Sequence, residues 1–572
     1  MRMLGNKVFR LELYKLPLIR IRYLINLVRF KSLIIPMKPL SFLLITSLLT
    51  LTSPLFGLHA QEEVKIIAST VIQDNNFSGR GNDNEEILRL ELQTEGSGEV
   101  AFGSLVMNLN GTTDINDIEE IKIYSTGTSV KFDPRNPLLK GAQLLATVAP
   151  NEGEMTIPLN GSLSAEVTNI WITFKVKETA KEGNRLDAEV ISISTETETH
   201  RFENGNPEGS REILLRRTLV YGPGDYGSTN YRIPAITTAT DGSLVILTDK
   251  RKNNSIDLPE DIDIVANRST ASGKTWSEPF LVAEGQGYGK GFGDAVIIRS
   301  NTGKLVALFV GGPGLWGSTA ENPQRTYIST SDDHGQTWTS PRDITAQIYG
   351  AECPDPIRAQ WQSLFFGSGH GLCTRAGRLM AVMAVRETLE NIRLHNYAVY
   401  SDDDGESWHV SERAILDGDE AKVVELNNGD ILMSSRTNGN RLWAKSSDGG
   451  ITWGPKNSWE EIWGNACDAD IIRYTSTKDG YDKDRILHTL PNQSTRRNVT
   501  MWLSYDEGTT WPVKKTIARN ESAYSSITIL PDGTIGVYIE EDETAPYKMY
   551  FLNFSLEWLT DGEDRFRPPV AQ

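Results

Sequence analysis

The 572-residue chain has a net charge of −17 and an ordinary hydrophobic fraction of 39%, which indicates a folded protein and excludes a largely disordered one. Its first sixty residues hold nine Lys or Arg and one acid, Glu12, and the rest of the chain carries a net charge of about −25. Because that charge repels polyanions, we expect neither nucleic acid nor an anionic membrane surface as a partner. The length predicts at least two domains, or one repeat-built domain with an attachment.

Residues 37–60 have the three-part pattern of a secretory signal peptide. They begin with Met37-Lys38, continue with an apolar run at 43–51 and end with Leu58-His59-Ala60. We predict cleavage after Ala60 and export to the periplasm, the cell surface or the medium. We interpret residues 1–36 as an over-long N-terminal extension, with a basic membrane-anchoring helix as the alternative. No later segment approaches the ~18–20 apolar residues that span a bilayer, so stable membrane insertion is not expected.

The chain contains three cysteines, at positions 353, 373 and 467, which allow one disulfide at most. Their spacing from histidines does not resemble a zinc site, so we expect no metal and no cofactor. We interpret all three as small buried hydrophobic residues.

Residues 61–212 predict an N-terminal β-sandwich. Short alternating runs such as 64–67 and 121–124 are typical of strands, and Asn110-Gly111 and Asn160-Gly161 are turn signals. This region shows no constellation of catalytic type. A carbohydrate-binding or spacer role is one interpretation, and a purely structural attachment is the other.

Residues 213–572 contain an internal repeat with the pattern Ser-x-Asp-x-Gly-x-Thr-Trp. Four clear copies and one degenerate copy, which has Ala271 at the Asp position, occupy residues 269–276, 331–338, 401–408, 446–453 and 504–511. In each copy the Asp can accept backbone N–H groups across a tight turn, the Gly can adopt a positive φ, and the Trp can bury a large face. The spacing of the copies suits four-stranded propeller blades with insertions. We therefore predict an all-β fold with a six-bladed β-propeller over 213–572.

Five such copies resemble the Asp-box, or BNR, repeats of the sialidase (neuraminidase) superfamily and of several other propellers. Together with the motifs described below, they resemble the bacterial exo-α-sialidases of that superfamily. The resemblance implies that the boxes lie at the blade periphery, away from catalysis. Their value is therefore architectural, and activity has to be argued from other residues because propellers host many functions.

A sialidase needs clustered guanidinium groups, because its substrate carries a carboxylate on the anomeric carbon. Tyr231-Arg232-Ile233-Pro234 resembles the Arg-Ile-Pro motif of the family and implies that Arg232 is the first arginine of its triad. The polar loop that follows implies Asp257 as the acid/base, with Asp261 and Asp263 as competitors. By the same resemblance, Arg251 lies at the floor of the pocket.

Residues 419–436 resemble a family hairpin that supplies two site residues. By that match Glu420 is the buried glutamate and Arg436 the second triad arginine. Two strands joined at Asn428-Gly429 would bring these distant ends together at one rim. Glu425 alternates with apolar neighbours, and we interpret it as structural.

The last part of the chain supplies the remaining members of the series. Residues 491–500 resemble the family stretch with the third arginine, and we favour Arg496 over Arg497, because adjacent strand residues face opposite ways. Tyr524, placed before a strand, matches the nucleophilic tyrosine, and Glu540 matches the acid that orients the first arginine.

Two further segments resemble parts of the family's pocket. Gly293-Asp294-Ala295 resembles a loop that contacts the N-acyl group of the sugar, which makes Asp294 a substrate contact. Residues 367–371 resemble a turn at the mouth of the site. We do not expect His370 in that turn to be a catalytic base, because the tyrosine and the glutamate already fill that role.

These resemblances predict a glycoside hydrolase, namely an exo-α-sialidase. It would release terminal α-linked sialic acid from glycoproteins, glycolipids and oligosaccharides by a retaining mechanism with a tyrosyl-enzyme intermediate. A trans-sialidase and a non-catalytic glycan-binding propeller are the alternatives. Sialylated glycans are the expected partners, and we expect a monomer.

Overall fold

The computed structural model describes residues 63–390, 392–541 and 547–569, which form one compact unit. The predicted signal peptide and the extension before it lie outside the described residues. Within those ranges, no helix has the length and apolar character needed to cross a membrane. The three cysteines are all described, and each is a free thiol.

The first thirteen strands lie between residues 65 and 214. They are β1 (Lys65–Gln73), β2 (Phe77–Gly79), β3 (Glu85–Glu95), β4 (Glu99–Asn108), β5 (Ile118–Gly127), β6 (Gln143–Val148), β7 (Met155–Pro158), β8 (Ser162–Ser164), β9 (Thr168–Val176), β10 (Arg185–Leu186), β11 (Glu189–Thr195), β12 (Thr199–Arg201) and β13 (Arg211–Leu214).

Two five-stranded sheets of this region enclose one apolar core. One sheet has the order β1-β3-β9-β5-β6, and the other has β12-β11-β4-β7 with β8 on β4. Leu88, Leu90 and Leu92 of β3 alternate into the core, as expected for strands with one buried face. The short sheet β10-β13-β2 lies beside them.

The remaining elements run from residue 216 to residue 559. The strands are β14 (Arg216–Tyr221), β15 (Asn230–Thr238), β16 (Leu244–Arg251), β17 (Ile262–Ser269), β18 (Phe280–Ala283), β19 (Phe292–Arg299), β20 (Leu305–Gly311), β21 (Arg325–Ser331), β22 (Arg342–Asp343), β23 (Ser363–Phe366), β24 (Gly369–His370), β25 (Leu372–Cys373), β26 (Leu379–Arg386), β27 (His395–Ser401), β28 (His409–Ile415), β29 (Ala421–Glu425), β30 (Ile431–Ser435), β31 (Gly439–Ser446), β32 (Asn457–Gly464), β33 (Asp470–Thr475), β34 (Arg485–Pro491), β35 (Arg497–Ser504), β36 (Val513–Ile529), β37 (Ile535–Glu541) and β38 (Lys548–Phe554). Two one-turn helices are α1 (Thr345–Ile348) and α2 (Leu556–Leu559).

These strands form consecutive meanders in which neighbours pair antiparallel, except that β24 pairs with β19 in parallel. The sheets are β15-β16-β17-β18, β22-β21-β20-β19-β24, β23-β26-β27-β28 with β25 on β26, β29-β30-β31-β32, and β14-β38-β37-β36-β35-β34-β33. In the seven-stranded sheet, the first half of the 17-residue β36 pairs with β35 and its second half pairs with β37. The predicted all-β class is confirmed, and the number of blades stays a prediction.

The repeated octapeptides form the turns after the third strand of their meanders. In the copy after β35, the Ser504 hydroxyl donates to Asp506 (2.9 Å) and accepts the Gly508 N–H (2.9 Å), while Asp506 accepts the Thr510 N–H (2.8 Å). Gly508 has a φ of +75°, and Glu507 before it also has a positive φ of +61°. The box is therefore a self-contained turn that joins the third strand to the fourth.

Candidate active site

Three of the predicted site residues lie at irregularities in strand pairing. The register shifts between Arg232 and Ala235, between Gly293 and Val296, and between Ser522 and Ser525, on either side of Tyr524. Ile233 and Asp294 have positive φ values of 63° and 56°, which are rare for residues with a side chain. Such bulges redirect side chains and are common beside functional sites. Tyr524 lies inside β36, and the expectation that it precedes a strand is wrong.

The predicted hairpin brings Glu420 and Arg436 together. Ala421 of β29 pairs with Ser435 of β30, and the Arg436 N–H donates to the Glu420 carbonyl at 2.8 Å. The Arg436 guanidinium also donates to the Glu420 carboxylate. Register alone therefore explains why two residues sixteen positions apart share one rim.

Tyr524 and Glu420 form a buried phenol–carboxylate pair. The Tyr524 hydroxyl donates to Glu420 Oε1 at 2.6 Å, and Arg436 Nη1 donates to the same hydroxyl at 3.0 Å. Burial and the Glu420 charge raise the pKa of Tyr524 well above that of a free phenol. Burial alone would raise the pKa of Glu420, but Arg436 and the Tyr524 hydrogen bond hold it below its usual range. The pair therefore rests as a neutral phenol beside an ionised carboxylate.

Three guanidinium groups surround this phenol. Those of Arg232 and Arg496 each lie 5.1 Å from the centroid of the Tyr524 ring, and Arg436 contacts its hydroxyl. Arg497 is instead exposed and pairs with Glu521 at 2.6 Å. The structure thus brings Arg496, and not Arg497, into the cluster.

Glu540 ties the first arginine to the tyrosine strand. It is fully buried and accepts two hydrogen bonds of 3.0 Å from the Arg232 guanidinium. It also accepts the backbone N–H groups of Ile233 (3.0 Å) and Tyr524 (3.3 Å). A bidentate pair of this kind fixes the plane of the guanidinium.

Asp257 lies at the open side of the arginine cluster, with 74% of its side chain exposed, and pairs with Arg251 at 2.7 Å. Desolvation opposes ionisation, but the charges of Arg251 and Arg232 lower the pKa of Asp257 below its usual range. Its two competitors, Asp261 and Asp263, both pair with Lys252 instead.

Asp294 is part of the same group of charges. Desolvation and the negative charges of Asp249 and Asp257 raise the pKa of Asp294 well above its usual range, which favours a neutral carboxyl. A neutral carboxyl can donate a hydrogen bond as well as accept one. The group therefore holds one acid suited to contacting a substrate carbonyl or hydroxyl.

The sequence reasoning missed two members of the site. Tyr547 places its ring 5.2 Å from the Arg232 guanidinium. Asp249 is buried on β16 opposite Arg232 and pairs with Arg251 at 3.2 Å. The signal that could have found Asp249 is an acid that follows the apolar run of β16, because a buried acid in such a strand needs a partner.

His370 does not face the arginine cluster. It bonds Asp470 at 2.8 Å and lines a separate cavity of about 540 Å³ together with Arg375 and Phe566. Among the described residues, no group of three or more His, Cys, Asp or Glu side chains is arranged to hold a metal ion.

Comparisons with known proteins match two regions of the chain and its fold. Residues 257–537 match the family described as a BNR repeat-like domain, and residues 79–199 match the N-terminal domain of BNR-repeat neuraminidase. A sialidase of Micromonospora viridifaciens is 34% identical over 62% of this chain and 55% of its own length. A sialidase of Bacteroides fragilis is 26% identical over 77% of this chain and 86% of its own.

The fold is also that of a solved sialidase. A Hadza microbial sialidase superposes with a TM-score of 0.67 at 23% identity, over 86% of this chain and 99% of its own. The chain is therefore similar to BNR-repeat sialidases (neuraminidases) over two regions, residues 79–199 and 257–537.

Proposed function

We propose that the protein is an exo-α-sialidase that hydrolyses terminal α-linked sialic acid from glycoconjugates. The observation that carries the proposal is the Tyr524 hydroxyl held by Glu420 at 2.6 Å within a cluster of three guanidinium groups. The anomeric carbon of the substrate bears a carboxylate, and both the arginine cluster and the neutral phenol suit that charge.

The arginine cluster binds the substrate carboxylate in this proposal. Burial keeps the positive charges of Arg232, Arg436 and Arg496 poorly screened by water, and guanidinium groups stay charged at any working pH. A carboxylate nucleophile would be repelled by the carboxylate of the substrate. A neutral phenol avoids this repulsion until its proton leaves.

The proposed reaction has two displacements. Tyr524 Oη bonds to the anomeric carbon while its proton passes to Glu420, and the bond to the leaving oxygen breaks as Asp257 gives that oxygen a proton. Water then attacks the anomeric carbon, Asp257 takes a proton from the water, and the phenol leaves with the proton that Glu420 returns. Two inversions give net retention.

The proposal includes a six-bladed propeller. If β36 is divided at its centre, the strands from β14 onward group into six four-stranded meanders. β14, the first strand of this part of the chain, completes the last meander by pairing with β38. It also includes export of the protein by the signal peptide at residues 37–60.

The test is release of sialic acid from a fluorogenic sialoside, with and without a 2,3-unsaturated sialic acid analogue as inhibitor. Tyr524→Phe should fold normally and lose activity by three or more orders of magnitude, because the nucleophile is absent. Tyr505→Phe removes a hydroxyl that bonds Asp564 and should keep full activity. Near-wild-type turnover by Tyr524→Phe would exclude the proposed nucleophile.

A second assay separates hydrolysis from transfer. With added lactose, a hydrolase releases free sialic acid, and a trans-sialidase forms sialyl-lactose. The absence of both products would leave a glycan-binding protein without catalysis.

A further inference from the structure

The N-terminal domain reaches into the sheet that carries the site residues. Phe77 of β2 is 1% exposed and packs in one apolar cluster with Val499, Ile517 and Trp558. The Arg519 guanidinium, on β36, lies 4.5 Å from the centroid of the Phe77 ring. Residues next to Phe77 are therefore held against β36 and β37.

Asn76 uses this position to contact a buried acid of β37. Its side-chain amide donates to Glu541 Oε2 at 2.8 Å, and Arg217 Nη2 donates to the same oxygen at 2.8 Å. The Asn76 side-chain oxygen accepts the backbone N–H of Arg519 at 3.3 Å. Glu541 is fully buried, so the loss of either donor would leave a buried carboxylate oxygen with one partner fewer.

Glu541 directly follows Glu540, the residue that bonds Arg232 and the Tyr524 N–H. Successive strand residues face opposite sides of a sheet, so the two glutamates anchor the end of β37 through contacts on opposite faces of the sheet. A shift of this strand end would move Glu540, and with it the first arginine and the tyrosine backbone.

We propose that Asn76 is a positioning residue for the active site, so that the N-terminal domain sets the geometry of Arg232 and Tyr524 through Glu541 and Glu540. This inference rests on the proposed sialidase function. It gives residues 61–212 a task in catalysis that requires no glycan contact of their own.

A second contact between the same two parts of the molecule provides a matched control. Glu182 accepts the Ser555 N–H at 2.9 Å and the Ser555 hydroxyl at 2.6 Å. Ser555 follows the end of β38 that pairs with Ile535, whereas Glu541 pairs with Lys548 at the other end. Loss of the Glu182 contact should therefore loosen the interface without reaching the site.

The experiment compares Asn76→Leu with Glu182→Gln in the full chain. Asn76→Leu keeps the side-chain size and removes the donor to Glu541. We expect the inhibition constant of the unsaturated sialic acid analogue to rise about tenfold, and kcat/KM to fall by at least as much, as for loss of one hydrogen bond to a charged group. Glu182→Gln should leave both values within twofold of wild type.

Hydrogen–deuterium exchange supplies a readout that does not depend on turnover. In Asn76→Leu, peptides that contain Ile233 and Tyr524 should exchange faster than in wild type and in Glu182→Gln. Equal inhibition constants, kcat/KM values and exchange rates in the two variants would overturn the inference, even if Asn76→Leu melts at a lower temperature.

If Asn76→Leu does not fold, Asn76→Ser gives the same comparison with a shorter polar side chain. A wild-type protein that releases no sialic acid would instead refute the proposed function, and the exchange rates would still decide the positioning role.

Discussion

At the residue scale, neighbouring charges give three acids of the site different states. Glu420 is buried beside Arg436, and its pKa is held below its usual range. Asp257 has a lowered pKa at the exposed side of the cluster, and Asp294 has a raised one. An environment that separates the pKa values of neighbouring acids assigns them to different tasks.

The first prediction concerns the pH dependence of Asp257. The acid must be protonated to act. In the free enzyme its pKa is lowered, so Asp257 loses its proton already in the acidic range as the pH rises. When a substrate carboxylate neutralises Arg232 and its partners, the pKa of Asp257 should rise. We therefore expect the alkaline limb of kcat to lie at higher pH than that of kcat/KM, because these profiles report bound and free enzyme.

Steady-state rates from pH 3 to pH 9 check this expectation. Asp257→Asn should abolish the shift along with most of the activity toward natural glycosides. Asp261→Asn, which changes an acid paired with Lys252, should retain the shift between the two alkaline limbs. Limbs that coincide in the wild-type enzyme would contradict the proposed role of Asp257.

The second prediction compares two adjacent arginines. Arg496→Ala should raise KM and lower kcat/KM about a hundredfold, because a buried charge-assisted contact to the substrate carboxylate is lost. Arg497→Ala should change kcat/KM by less than twofold, because Arg497 pairs with Glu521 away from the cluster. Similar losses in both variants would mean that the carboxylate binds elsewhere.

At the element scale, the repeat and the hairpin could be read from the sequence, and the bulges could not. The Ser-x-Asp-x-Gly turn is closed by bonds among its own residues, so local pattern determines it. The pairing of Glu420 with Arg436 follows from strand register and turn position. The bulges at Arg232 and Tyr524 depend on partner strands more than ten residues away. No local signal marks them, and the strand position of Tyr524 was therefore predicted wrongly.

The third prediction tests the structural role of a box. Asp333 accepts the Thr337 N–H at 2.8 Å and the Ser331 hydroxyl at 2.8 Å. Asp333→Ala should cost about 1 kcal/mol of stability, as for loss of a side chain that caps backbone N–H groups, and lower the thermal midpoint by a few degrees at most. The adjacent, exposed Asp332 provides the control Asp332→Ala, which should change neither value. Both variants should keep wild-type kcat, and a large loss of kcat in Asp333→Ala would contradict an architectural role.

At the scale of the whole molecule, the sequence predicts two β-rich parts but not their mutual dependence. The switch to repeated boxes after about residue 213 is visible in the pattern. The contacts of Phe77 and Asn76 join positions that lie more than 400 residues from their partners on β36 and β37. Periodicity carries no information on contacts of that range, so the sequence left a carbohydrate-binding or spacer role and a purely structural attachment as open alternatives.

The fourth prediction, on thermal unfolding, follows from that shared core. If Phe77 completes the apolar cluster beneath β36, the two parts should melt in one cooperative transition. Phe77→Ala should lower the stability of that transition by about 3–5 kcal/mol, the usual cost of removing a buried phenyl ring. Leu139→Ala, at a position 86% exposed on the N-terminal domain, should leave the transition in place. Differential scanning calorimetry distinguishes this from independent domains, for which Phe77→Ala would shift only one of two separate peaks. A single shifted peak would mean that the N-terminal domain is part of the folding unit that holds the site. Removal of the Phe77 ring would then have destabilised β36 and β37, the strands that carry Tyr524 and Glu540.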